Sequence, residues 1–107
     1  MAILIVFTTL PDSDSAVKLA ETLVEKRHAA CIHLLPMGRS VYRWDDRIVH
    51  ADEVTLLIKT TQAAYPELET AIRATHPYDL AEILAVPVTA GLPAYLDWVN
   101  AETRISP

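Results

Sequence analysis

Residues 53–61, Glu-Val-Thr-Leu-Leu-Ile-Lys-Thr-Thr, restrict the fold more than any other stretch of the chain. Val54, Leu56 and Ile58 share one face at period two, and Thr55, Leu57, Lys59 and Thr61 share the other. Apolar residues on both faces predict a strand covered on both sides, or a sheet whose second face meets another subunit. Lys59 interrupts that pattern near the strand's end. A buried lysine needs a partner, so Lys59 is expected to meet water, a carboxylate or an anionic ligand.

The remaining elements arrange themselves around this strand. Residues 2–9 form an apolar run ended by Leu10-Pro11-Asp12, the pattern of an interior strand followed by a turn. Asp12, Ser13 and Ser15 are helix-capping types, and Ala16, Leu19, Ala20, Leu23 and Val24 then recur at helical spacing. Residues 31–44 read as a second strand that Pro36 interrupts, with a bulge or bend between Leu35 and Arg39. Asp45-Asp46-Arg47 is a tight turn returning the chain toward residue 53, which makes a projecting hairpin with exposed aromatics. Residues 62–75 are helical, with Tyr65, Leu68, Ile72 and Thr75 aligned and Pro66 in the first turn. His76-Pro77-Tyr78 stops that helix. Residues 82–89 form a further strand that Pro87 confines to an edge or an end, and Pro93 opens a short C-terminal helix. The order β-α-β-β-α-β plus a helix predicts an α+β, ferredoxin-like antiparallel sheet of four strands. Both helices lie on one face and the first and third strands are central.

At 107 residues this is one domain, burying roughly 65% of its unfolded surface. With 51% hydrophobic residues, part of the apolar surface is expected between subunits. A net charge of -5 without clustered Lys and Arg argues against nucleic acid. The single Cys31 excludes an intrachain disulfide and cysteine-rich metal sites. The apolar start is too short for a membrane span and lacks the flanks of a signal peptide, so the cytoplasm is the expected compartment.

Seven motifs in order carry a resemblance. They are residues 6–11 (Val-Phe-Thr-Thr-Leu-Pro), 27–31 (Arg-His-Ala-Ala-Cys), 40–44 (Ser-Val-Tyr-Arg-Trp), 53–54 with 58–61, His76-Pro77-Tyr78, Glu82-Ile83 and 95–98 (Tyr-Leu-Asp-Trp). Together, from Ile5 to Asn100, they resemble the CutA family of divalent-cation tolerance proteins. The resemblance implies a ferredoxin-like homotrimer similar in architecture to the PII signalling proteins, cytoplasmic, linked to copper and other divalent cations, and without an established reaction. It also implies that the half of the second strand bearing Tyr42 and Trp44 extends a sheet across a subunit boundary. Thr8 and Thr75 stand where some members carry the Cys and His of a proposed copper site, of which His76 alone is kept. Asp46 replaces a turn glycine, Ala81 replaces a proline before Glu82, and Gly38 sits one place later than usual.

Lys59, His76, Tyr78, Glu82, Tyr42 and Trp44 are the family's signature set as it stands here. In the predicted sheet they are expected to line a cleft between subunits, with Lys59 and Glu82 pairing or bracketing a small polar ligand. The competing reading makes that pair an interface contact fixing trimer register. For a metal, His76, Cys31 and His33 are the candidates. Cys31 and His33 fall on one strand face, and thiolate with imidazole suits copper(I) or zinc. Against this, Cys31 also reads as a small buried hydrophobe, and His28, His33 and His50 as ordinary surface histidines. Asp45, Asp46, Asp52 and Glu53 read as the solvated base of the hairpin, and Tyr95 and Trp98 as packing residues. No phosphate loop, HExxH or CxxC occurs. A binding or signalling module is therefore the first expectation, with no required cofactor. An enzyme of unknown reaction in the same cleft and a trimeric interaction scaffold are the alternatives.

Overall fold

A computed structural model describes residues 2–105. Eight elements follow in order: β1 (Ile3–Leu10), α1 (Ser13–Glu25), β2 (Cys31–Leu34), β3 (Gly38–Trp44), β4 (Arg47–Thr61), α2 (Tyr65–Thr75), β5 (Ile83–Pro87) and α3 (Pro93–Glu102). The sheet runs β2-β4-β1-β5, every neighbouring pair antiparallel, and β3 pairs with the first half of β4. The 53–61 segment is thus central, as its two apolar faces require.

Two boundaries depart from expectation. The strand predicted over residues 31–44 is two strands, so the sheet has five strands rather than four. Leu34 opposes Leu56 and Gly38 opposes Glu53, so four steps on one side face three on the other. One extra residue is accommodated where Pro36 has no N–H to donate, while the Leu35 N–H still reaches the Thr55 carbonyl at 2.9 Å. The second helix begins at Tyr65 rather than residue 62. The intervening turn is held by the Ala64 N–H donating to the Thr61 hydroxyl at 3.2 Å.

The core lies between the sheet and the two longer helices. Val6, Leu10, Val54, Leu56 and Ile58 from β1 and β4 meet Ala16, Leu19 and Leu23 of α1 and Leu68 and Ile72 of α2. Burying each large aliphatic side chain contributes about 1.5–3 kcal/mol. Val24, expected on the inner face, lies outside it, 41% exposed. Helix α1 starts where the Asp12 carboxylate accepts the Ser15 N–H at 2.7 Å. It ends in a left-handed Arg27 (φ 62°), whose N–H bonds the Val24 carbonyl while the His28 N–H bonds that of Leu23.

The opposite sheet face is covered at one end only. There Val99 and Leu96 of α3 pack with Ile3, Ala30 and Val88. Further along, Ile5, Phe7 and Leu57 are half-buried, and Leu84 and Val86 are exposed.

Candidate functional site

The bulge at residues 35–37 decides what the candidate site contains. A one-residue insertion flips every later side chain to the other face of its strand. Tyr42 opposes Val49 and Trp44 opposes Arg47, which puts both aromatics on the same face as Glu53 and away from the helices. Asp45 and Asp46 close the hairpin with φ of 53° and 59°, a two-residue turn with both central residues left-handed, matching the twist of the flanking strands.

The other wall comes from the segment after α2. Pro77 forces His76 out of the helical region (φ -69°, ψ 136°), which ends α2 and turns the imidazole toward β1. Pairing of β1 with β5 stops at Thr8 opposite Ile83, and the next carbonyl, that of Thr9, accepts from His76 Nε2 at 2.7 Å. His76 Nδ1 accepts the Tyr78 N–H at 3.1 Å. The two bonds require the neutral imidazole with its proton on Nε2. Tyr78, its ring 5.0 Å from that of His76, donates its hydroxyl to Glu53 Oε2 at 2.9 Å. Burial, then the bond to Glu53 and its charge, push the Tyr78 phenol up to about 12.

Between these walls lies an open groove of about 850 Å³. Tyr42, Trp44, Glu53, Tyr78, Asp79 and Glu82 lie along it. Four of the sequence candidates, Tyr42, Trp44, Tyr78 and Glu82, are therefore brought together within one chain, and His76 braces the loop behind them.

Lys59 is not with them. It opposes Ile5 and Cys31, three residues along β4 from Leu56, which shares a row with Thr8 and Ile83. That offset is about 10 Å along the strand and about as much again across two strand spacings. The Lys59–Glu82 pair expected from sequence does not form within a chain.

Glu53 corrects a second expectation. It was read with Asp45, Asp46 and Asp52 as a solvated hairpin base, yet it is 8% exposed and anchors the groove. Asp52, on the opposite face, does meet solvent and pairs with Arg39 at 3.1 Å. The signal for Glu53 was its parity, since it shares a face with Thr55 and Leu57 rather than with Asp52.

The metal candidates are dispersed. Both ring nitrogens of His76 are engaged, so it has no lone pair to offer while the loop is closed. Cys31 and His33 share a face, opposing Lys59 and Leu57, with the Tyr95 phenol close to Cys31. Among the described residues no three His, Cys, Asp or Glu side chains converge on a point that could hold a metal. Within one chain, the described residues do not by themselves assemble the ligand set of a resident metal ion.

The model of the CutA1 divalent ion tolerance protein family matches residues 4–102. This chain belongs to the CutA1 family. The "Divalent-cation tolerance protein CutA" of Thermus thermophilus is 41% identical over 99 residues, covering 92% of this chain and 96% of that protein. Its solved structure superposes with a TM-score of 0.94 at 40% identity, over 95% of this chain and 99% of that one. Mouse "Protein CutA" is 42% identical over 98 residues, which are 92% of this chain but 55% of the mouse protein. CutA1 members do not share one compartment by name. A structure from Archaeoglobus fulgidus, 29% identical with a TM-score of 0.91 over 94% of this chain and 97% of that one, is titled a periplasmic divalent cation tolerance protein. No helix among the described residues is long and apolar enough to cross a membrane.

Proposed function

We propose that this CutA1 chain acts in divalent-cation tolerance as a homotrimeric binding or signalling module. Its ligand site is the groove around Glu53 and Tyr78, closed by neighbouring copies. The observation that carries the reading is the groove itself, which places a nine-tenths-buried carboxylate at the base of an aromatic-walled recess. The trimer is supported by the part of the apolar sheet face that α3 leaves uncovered, and by Val41, Trp44 and Ile48 exposed on the hairpin. Any direct contact with copper falls to Cys31 and His33, the two soft donors on one face. The cytoplasm is part of this proposal, since the names of relatives do not fix one compartment.

Light scattering combined with unbiased mass spectrometry of copurifying metals and small molecules tests this. The expected result is a mass three times 11.9 kDa and a small molecule or cation whose titration perturbs the NMR signals of Tyr78 and Trp44. A monomer, or a trimer whose groove responds to nothing, overturns the reading, and the second result favours the scaffold. Chemical turnover of the copurified molecule would make the same cleft an active site.

A further inference from the structure

We propose that the groove takes an organic ammonium ion, with Glu53 as its counter-charge and Tyr42 and Tyr78 as its aromatic walls. This rests on the reading of the cleft as a ligand site and names the chemistry of the ligand.

The first argument is the isolation of Glu53. Its side chain is nine-tenths buried, and its hydrogen-bond partner is a neutral phenol, Tyr78. Neither Arg27–Glu102 nor Arg39–Asp52 involves Glu53, and among the described residues of its own chain no arginine, lysine or histidine neutralises it. A buried carboxylate without a cation is unfavourable unless something positive joins it. Arg43 also borders the groove, but it opposes Ile48 on the other face of the hairpin from Tyr42 and Trp44. With Asp79 and Glu82 exposed at the rim, the lining holds three carboxylates against one arginine.

The second argument separates an ammonium from a bare metal. A divalent metal needs several hard or soft donors converging on one point, and no set of three exists here among the described residues. An ammonium needs one carboxylate to receive its N–H groups and aromatic faces within about 6 Å for its alkylated surface. The faces near Glu53 come from independent elements, Tyr78 from the loop after α2 and Tyr42 from β3 on the same face. Trp44, level with Arg47 in the ladder, stands about 20 Å along β4 at the far end of the groove. Asp79 and Glu82, exposed at the rim, suit an aliphatic chain that carries a second positive charge.

Putrescine, titrated into the whole protein and followed by NMR, is the test. Binding is expected to shift the signals of Tyr78 and Tyr42, and Glu53→Gln is expected to weaken it about tenfold to a hundredfold. Glutamine keeps the acceptor for the Tyr78 hydroxyl and removes only the charge. If Glu53→Gln does not fold, Tyr42→Leu on the exposed hairpin carries the test, with weakening of about threefold or more expected. No response to putrescine, or equal affinity in wild type and variant, overturns the ammonium assignment. Where magnesium or copper(II) then shifts the same signals, the cleft reading stands and only the ligand class falls. Where no probe moves them, both fall.

Discussion

Replacing His76 by alanine removes the donor to the Thr9 carbonyl and the acceptor for the Tyr78 N–H at once. Leaving these part-buried groups without partners costs about 1–3 kcal/mol, which should appear as a lower urea midpoint at unchanged slope. Because both nitrogens are already used, copper and zinc affinity measured by calorimetry should be the same in His76→Ala as in wild type. Tyr78 makes a pH-dependent prediction. Its phenol titrates near 10 in the unfolded chain and is pushed up to about 12 in the folded one, chiefly by burial and then by Glu53. The folded state holds the proton more tightly, so this contribution is complete below pH about 10 and is lost as pH rises toward 12. Tyr65, raised by burial and its bond to Glu69, adds to the same slope. Tyr78→Phe should therefore flatten, without abolishing, the fall in stability between those limits, as measured by urea titrations at several alkaline pH values.

At the scale of elements, the β3–β4 hairpin carries a backbone conformation that its residues do not favour. Asp45 and Asp46 are both left-handed, a region that aspartate enters at less cost than most side chains but that glycine enters freely. Asp46→Gly should stabilise the fold by about 0.5–1 kcal/mol, read from the thermal midpoint. At the end of α1 the same logic nearly cancels. Glycine at Arg27 would relieve its φ of 62°, but it would lose the exposed 2.8 Å pair with Glu102. Such a pair contributes about 0.2–1 kcal/mol. The backbone bond from the Arg104 N–H to the Arg27 carbonyl would remain.

For the molecule as a whole, the question is what covers the sheet face that the helices leave bare. Leu84 is 60% exposed on that face, and it opposes Phe7 in the ladder rather than reaching the helical core. Leu84→Glu should leave the fold of one chain intact by circular dichroism. On the trimer proposed above, it should also drop the mass in light scattering from three times 11.9 kDa to the single-chain value. A variant that remains a trimer would show that copies meet elsewhere.

The order of elements, the central place of residues 53–61 and the helical faces could all be read from the linear chain. They depend on periodicity, capping and proline chemistry, which act over a few residues. The break near Pro36 was also legible, because a missing N–H is a property of one residue. Its consequence was not, since the face on which Tyr42 and Trp44 emerge depends on counting steps against β4, a partner supplied only by folding. The separation of Lys59 from Glu82 and the burial of Glu53 arise the same way. Register across strands and the packing of the loop after α2 bring together residues distant in sequence, and only the tertiary structure decides those meetings.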